Sequence, residues 1–141
     1  NFAANIIRNI WTNAIIFCGH FPDGAEKFTK TDMVGESRGQ WYLRQILGSS
    51  NIKGSKLMHI MSGNLSHQIE HHLFPDLPAN RYAEVAPQIQ AICRKYNVPY
   101  NMGRFLPQLA TVMKRVLRYS LPGGPQKAMS MTLEPLSTEK A

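Results

Sequence analysis

Several features that would identify common protein classes are scarce or absent in this chain of 141 residues. It has only two cysteines, Cys18 and Cys93, and they lie far apart in apolar surroundings. Their separation excludes a Cys-x-x-Cys zinc site and does not indicate a disulfide framework, so we expect a reducing compartment. No internal repeat stands out, and neither does the alternation of apolar and polar residues that is typical of strands. The pattern therefore predicts an all-α fold.

Long apolar runs are also missing. A helix that crosses a bilayer needs about 20 predominantly apolar residues. The opening segment, residues 1–21, carries an apolar stripe that includes Ile10 and Ile15, but Arg8 and several asparagines interrupt it. It is too short and too polar to be an independent span. We expect it to be the end of a membrane helix that emerges near His20, or an amphipathic helix lying at the interface.

The sequence does not begin with Met. It begins with Asn1, and no basic leader or cleavage site follows. We therefore expect a fragment of a longer protein. Its predicted parts are residues 1–21 as the end of a membrane or interfacial helix, 22–119 as a cytosolic helical region, and 120–141 as a disordered tail. The tail is predicted because Pro, Gly, Ser and Thr dominate its composition.

Acidic residues are few, with nine Asp and Glu against 16 Lys and Arg, for a net charge of +7. Between residues 80 and 119 only one acid, Glu84, accompanies seven basic residues. These are Arg81, Arg94, Lys95, Arg104, Lys114, Arg115 and Arg118. A basic surface suits lipid headgroups, a phosphorylated substrate or nucleic acid, and charge alone does not separate these from a solvated basic face.

Helical periodicity is the main structural signal in the rest of the chain. It predicts four further helices: around Glu36–Leu47, from a Ser55 cap to about Phe74, from about Asn80 to Tyr96, and over 105–118. Pro75 and Pro78 end the second of these helices. Pro87 suggests that the regular part of the third begins there. The last is amphipathic, with basic residues opposite its apolar face, which suits a helix resting on a membrane surface or on a larger body.

Histidine is rare as well, yet three of the five histidines lie in the stretch His67-Gln-Ile-Glu-His-His-Leu-Phe-Pro75. On one helix His67, Gln68, His71 and His72 would fall within an arc of about 140° and could converge. Imidazole is a good ligand for iron and zinc, and His71 and His72 differ in direction by about 100°, so each can serve a different metal ion. Gln68 can offer one oxygen, a bridging water or a hydrogen bond that orients an imidazole. The same spacing also fits an exposed pair of histidines that interacts with the dipole at the C-terminus of a helix.

The same letters fit a second metal-binding pattern. His67-Gln-Ile-Glu70-His71 matches the H-x-x-E-H pattern of inverzincin metallopeptidases, with both histidines on zinc and Glu70 as general base. Such a site needs a further protein ligand, usually a carboxylate well downstream. Only four acids follow the motif, and two of them lie in the predicted tail.

The segment Gln68–Pro75, preceded by Ser62–Leu65, resembles the third histidine box of membrane fatty acid desaturases, in the variant with glutamine in place of the first histidine. Asp76–Tyr82 and Tyr96–Tyr100 are similar to the region that follows this box in bacterial acyl-CoA desaturases. Cys18–Pro22 resembles the segment after the last membrane helix, where the family places an additional iron-ligating histidine.

The resemblance covers about residues 1–118 and implies a non-haem diiron enzyme at the cytoplasmic face of a membrane. Such an enzyme uses O2 to introduce a cis double bond into a fatty acyl chain. His71 and His72 match the ligating pair, Gln68 matches the replaced histidine, and His20 matches the additional ligand. The first and second histidine boxes of the family are not in this chain. We therefore expect the remaining ligands of the two irons to lie upstream, and the 141 residues alone to be inactive.

The resemblance also implies partners. These are a fatty acyl-CoA substrate, membrane lipid, and an electron donor that is either an NADPH-dependent flavin and iron-sulfur reductase or cytochrome b5, with no nucleic acid. Six basic residues then become candidate contacts to the membrane surface or to coenzyme A phosphates: Arg81, Arg94, Lys95, Lys114, Arg115 and Arg118.

Within the family, the resemblance favours the bacterial NADPH-dependent stearoyl-CoA Δ9 type. Front-end desaturases of the Δ6, linoleoyl-CoA type share the same eight-residue motif, Gln68–Pro75. Two alternatives come from other classes. One is the zinc peptidase, and the other is a non-enzymatic basic module that docks on membranes.

Overall fold

The computed structural model describes residues 1–22 and 24–121. This part of the chain contains six α-helices and one small parallel sheet, and single 3-10 turns lie at Thr31–Met33 and Ala79–Arg81. The helices are α1 (Phe2–His20), α2 (Arg38–Leu47), α3 (Lys56–Met61), α4 (Gln68–Leu73), α5 (Tyr82–Lys95) and α6 (Phe105–Ser120). The strands are β1 (Asn51–Lys53) and β2 (Met102–Arg104). The mainly helical fold is confirmed, and the all-α class is corrected by the sheet.

The sheet joins two distant parts of the chain. β1 and β2 pair in parallel, with Ile52 opposite Gly103. Gln108 at the start of α6 reinforces the pairing, since its amide nitrogen donates to the hydroxyl of Ser50 at 2.8 Å and to the carbonyl of Asn51 at 3.2 Å. Strands of three residues are too short for alternation to be recognised in a sequence, which is why they were not predicted.

The predicted helix from Ser55 to Phe74 is wrong, because it is broken in the middle. Ser55 does cap a helix, accepting a hydrogen bond from the backbone of Met58 at 3.3 Å, but α3 ends at Met61. Gly63 and Asn64 both have a φ of 61°, a left-handed conformation that glycine and asparagine tolerate and that no helix continues through. The histidine motif therefore forms its own short helix, α4, with His67 at the N-cap position.

α5 differs from the prediction at its start. It begins at Tyr82 and contains Pro87 in its interior, so the regular helix does not start at the proline. Pro87 cannot bond to the carbonyl of Ala83, but both residues are exposed and water can reach that carbonyl. α1, α2 and α6 follow the predicted segments closely.

Two buried clusters hold the elements together. One lies between α4 and α5 and contains Ile69, Leu73, Ile89 and Cys93. The other places Ile15 and Cys18 of α1 against Ile52 of β1, with partly buried Trp11, Met58, Leu65, Phe105 and Leu109 around them. α1 and α4 both pack against β1, and this shared contact brings the end of α1 close to the histidine motif.

Within residues 1–22 and 24–121, no helix combines the length and apolar character needed to cross a membrane. α6 extends to Ser120, and the predicted disordered tail lies outside the described residues from position 122 onward. The predicted boundaries at residues 21 and 119 remain predictions.

Candidate metal centre

The clearest feature of the site is a pair of histidines that are 52 positions apart in sequence. His20 is the last residue of α1, and His72 lies in α4. Their Nε2 atoms face each other at 3.1 Å. The resemblance alone identified His20 as a candidate ligand, and the fold brings it to the histidine motif.

The opposite nitrogen of each ring is held by an acceptor. His20 Nδ1 lies 2.8 Å from the main-chain oxygen of Ile16, one turn earlier in α1. His72 Nδ1 lies 3.1 Å from the side-chain oxygen of Gln45 in α2. Since these oxygens only accept, each Nδ1 donates a proton, and each neutral ring then has a bare lone pair on Nε2. Two lone pairs that face each other at 3.1 Å repel, and a cation between them, either a metal ion or a proton, removes the repulsion.

Protonation of His72 is not a good substitute for a metal ion here. Burial, followed by repulsion from His20 and His71, lowers the pKa of His72 to about 4. The ring is therefore neutral at physiological pH, the state in which imidazole binds metals.

Gln68 lies beside this pair of histidines. Its side chain is buried, its amide nitrogen lies 3.5 Å from His20 Nε2, and its amide oxygen has no hydrogen-bond partner. Gly19 makes room for it, since a Cβ at that position would lie 2.9 Å from Gln68 Cγ. A buried amide oxygen without a partner is costly unless something binds it. A half-turn of the amide would exchange its nitrogen and oxygen and place the oxygen beside His20 Nε2 as a third donor to a metal ion.

These donors fit a metal ion. Two nitrogens bound to one ion at about 2.0–2.1 Å, at the angles of tetrahedral or octahedral coordination, lie about 2.8–3.4 Å apart. The observed separation of the Nε2 atoms, 3.1 Å, falls within that interval. Among residues 1–22 and 24–121 no group of three or more His, Cys, Asp and Glu side chains forms a complete metal site. The set of His20, His72 and Gln68 is thus a partial one.

His71 does not join this pair. Its ring lies edge-on to that of His72, with centroids 5.8 Å apart, and its Nδ1 is 3.0 Å from the hydroxyl of Tyr82. Tyr82 is buried at the start of α5, and burial raises the pKa of its phenol, which stays protonated. The two adjacent histidines therefore point to different places, as expected if each serves a different ion.

The remaining histidines form a separate group. The rings of His59 and His67 stack with centroids 4.7 Å apart, and His59 Nδ1 lies 2.7 Å from the hydroxyl of Ser66. Burial lowers the pKa of His67, which is therefore mainly neutral. Neither residue was matched to a metal position by the resemblance, and neither has a contact to His20 or His72 among those described.

Glu70 is unsuited to the general-base role that the H-x-x-E-H pattern would require. Its side chain is fully buried. One carboxylate oxygen accepts from Asn51 at 2.7 Å and the other from Tyr100 at 2.6 Å. A general base has to reach a water molecule beside the metal ion, and both oxygens of Glu70 are engaged in a closed network. The geometry therefore does not support the peptidase alternative.

The six basic candidates differ in their contacts. Three have partners within the chain: Arg81 pairs with Glu84 at 2.7 Å, Arg115 donates to the carbonyls of Phe21 and Pro22 at 3.0 and 3.1 Å, and Lys95 lies 5.3 Å from the ring centre of Tyr96. Arg115 thus ties α6 to the end of α1, directly after His20. Four of the six lie exposed on α5 or α6: Arg94, Lys95, Lys114 and Arg118.

Gln45 and Tyr82 are the site residues that sequence reasoning missed. Each contacts one imidazole of the motif, but neither belongs to a motif of its own. Gln45 lies in a predicted amphipathic helix, and Tyr82 follows a proline-rich turn. Neither position carries a sequence signal that distinguishes it from other packed residues.

Comparison with known proteins gives matches over most of the chain. Residues 2–104 match the sequence profile of the fatty acid desaturases. The chain is 57% identical over 122 residues to the NADPH-dependent stearoyl-CoA 9-desaturase of Mycobacterium tuberculosis, which covers 86% of this chain and 29% of that relative. It is 30% identical over 112 residues to fatty acid desaturase 3 of Bos taurus, covering 79% of this chain and 24% of the relative. Over 79 residues it is 35% identical to the acyl-lipid (9-3)-desaturase of Borago officinalis, covering 55% and 18%.

No solved structure matches the chain. The chain spans less than a third of the length of these curated relatives. The matched residues include all four candidate metal ligands, and both the profile and the identities lead to one conclusion: the chain belongs to the fatty acid desaturase family.

Proposed function

We propose that this chain forms part of a membrane-bound, non-haem diiron desaturase that introduces a cis double bond at Δ9 of a fatty acyl-CoA. The observation that carries the proposal is the His20–His72 pair, whose bare Nε2 atoms lie 3.1 Å apart beside the unpartnered oxygen of Gln68. The similarity to a stearoyl-CoA 9-desaturase supports the substrate and the position of the double bond.

The residues have distinct roles in this proposal. His20, His72 and Gln68 hold one iron, and His71 offers a ligand to the other, with the remaining ligands outside this chain. Bound iron would supply the activation of O2 that is needed to remove hydrogen from unactivated methylene carbons, a reaction beyond side-chain acids and bases. The protein's own contribution is to keep the imidazoles aligned, because Nδ1 of each ring in the pair is tied to an acceptor.

The overall reaction balances with an external donor. One CH2–CH2 unit becomes CH=CH, and O2 takes up the two hydrogens together with two electrons and two protons to give two waters. We propose that a reductase using NADPH supplies the electrons, as the name of the M. tuberculosis relative suggests. Cytochrome b5 is the alternative donor.

We also propose that the region sits at the cytoplasmic face of a membrane. α1 exposes large apolar side chains, with Phe2 80%, Ile7 69% and Ile10 66% exposed. α6 likewise exposes Leu106 and Leu117 beside its basic residues. Apolar side chains with nearby Lys and Arg suit the boundary between lipid and water, where the cations meet anionic headgroups.

The test is conversion of stearoyl-CoA by the complete protein with NADPH and a reductase, with the double bond located by mass spectrometry. Wild type should form the Δ9 product, and His72→Ala and His20→Ala should abolish it. His59→Ala is the matched control, since His59 contacts Ser66 and His67 and lies outside the pair. Conversion of linoleoyl-CoA instead would establish the front-end alternative. Failure with every acyl substrate, or full activity of His72→Ala, would refute the proposal.

A further inference from the structure

We propose that Gln45 is a positioning residue of the metal centre: its side-chain oxygen holds the proton of His72 on Nδ1 and so keeps Nε2 free to bind metal. This inference rests on the metal-binding role of His72 proposed above. It concerns a residue of α2, outside the histidine motif.

The contact is direct. Gln45 Oε1 lies 3.1 Å from His72 Nδ1. A neutral imidazole carries one ring proton, and an amide oxygen can only accept it. The proton is therefore placed on Nδ1, and the lone pair on Nε2 is directed at His20 Nε2, 3.1 Å away. His20 obtains the same arrangement from a main-chain oxygen of its own helix. His72 obtains it only from a side chain of another helix.

Hydrogen bonds fix the start of that helix. Ser37 and Gln40 form a reciprocal cap at its start, with Ser37 accepting from the backbone of Gln40 at 3.3 Å and Gln40 accepting from the backbone of Ser37 at 2.7 Å. Arg44, the neighbour of Gln45, donates two hydrogen bonds to Glu36 at 2.8 and 2.6 Å. A hydrogen-bond partner on a fixed element restricts both the tautomer and the ring orientation of a ligand.

An amide differs from a carboxylate at this position in one respect. If the amide were turned over, its NH2 group would donate to Nδ1, and the ring proton would lie on Nε2, where it would block the metal. A carboxylate has no such second state, because both of its oxygens accept. Gln45→Glu should therefore preserve metal binding. Gln45→Met, which keeps the length and flexibility of the side chain but removes the acceptor, should weaken it.

The experiment titrates Co²⁺ into the complete, metal-free protein and measures both the dissociation constant and the visible absorption of the bound ion. Loss of an outer hydrogen bond to a ligating histidine typically lowers metal affinity about 10- to 100-fold. We expect that loss for Gln45→Met. We expect no such loss for Gln45→Glu, and a shifted Co²⁺ absorption band because the imidazole becomes more basic. Gln88→Met, at an exposed position of α5, is the matched control and should bind as the wild type does.

The outcomes are distinguishable. A purely structural role for Gln45 would lower the thermal unfolding midpoint in both variants and leave the absorption band of the wild type and Gln45→Glu alike. Wild-type affinity in Gln45→Met, or equal loss in Gln45→Met and Gln45→Glu, would overturn the inference while leaving the metal centre intact. If the wild type binds no Co²⁺, or if His72→Ala binds it normally, the proposed function fails and the role of Gln45 fails with it.

Discussion

Replacing Tyr100 with phenylalanine tests how α4 is held in place. Asn51 donates one hydrogen bond to Glu70 at 2.7 Å and a second to the Tyr100 hydroxyl at 2.6 Å, and that hydroxyl donates to the other oxygen of Glu70 at 2.6 Å. Burial and the carboxylate raise the pKa of Tyr100, so its phenol remains a donor. The three side chains form a closed network that joins Glu70 of α4 to Asn51 of β1 and to Tyr100, which lies just before β2.

The cost of the substitution follows from the two bonds that disappear. A hydrogen bond to a charged group contributes about 1.5–3 kcal/mol, and a neutral one contributes about 1 kcal/mol. Tyr100→Phe removes one of each and leaves a buried carboxylate with a single donor. We therefore expect the free energy of unfolding to fall by about 2.5–4 kcal/mol.

The assay is urea unfolding of the complete protein, with metal content measured on the same samples. Tyr96→Phe is the matched control, because Tyr96 is 66% exposed and its substitution should change the stability by less than about 0.5 kcal/mol. Metal retention should fall in Tyr100→Phe and not in Tyr96→Phe, since α4 carries His71 and His72. If both variants unfold at the wild-type urea concentration, the network does not hold α4 and the reasoning is refuted.

Three other predictions concern the packing around the site. Gly19→Ala places a Cβ 2.9 Å from Gln68 Cγ, so we expect a loss of about 1–3 kcal/mol in stability and reduced metal retention. Gly39→Ala, whose Cβ meets nothing closer than 4.0 Å, should not lower the stability and should leave metal retention unchanged, and similar losses in the two variants would contradict the prediction. Ser37→Ala removes the cap of α2 and should cost about 1 kcal/mol in urea unfolding, whereas an unaltered midpoint would show that the cap is dispensable. Burial raises the pKa of the Cys93 thiol, so at pH 8 it should react with a thiol reagent far more slowly in the folded protein than in urea; equal rates would mean that the thiol is accessible.

The sequence was informative wherever a physical signal was local. Apolar periodicity predicted α1, α2 and α6, and the crowding of His71, His72 and Gln68 made a metal-binding stretch one of two interpretations, the other being an exposed pair of histidines. The break between α3 and α4 was also encoded locally, in Gly63 and Asn64, whose left-handed conformations end the helix. A continuous apolar pattern across Ser55–Phe74 concealed it.

Contacts between distant parts of the chain were not predictable in the same way. The pairing of His20 with His72 depends on how α1 packs against β1, and spacing alone could not reveal it; only the resemblance did. The acceptor at Gln45 depends on how α2 lies beside α4. Bonds from Gln108 to Ser50 and Asn51 reinforce the pairing of β1 and β2 across the fold, and no alternation within three residues could signal that pairing.

The most direct test of the proposed diiron centre is to count iron and zinc per chain in the complete protein, purified in detergent, for the wild type and for His72→Ala. We predict about two irons per wild-type chain and a clear reduction in His72→Ala, with His59→Ala retaining the wild-type content. A single zinc, or an iron content that does not change when His72 is replaced, would contradict the assignment of the His20–His72 pair as a metal centre.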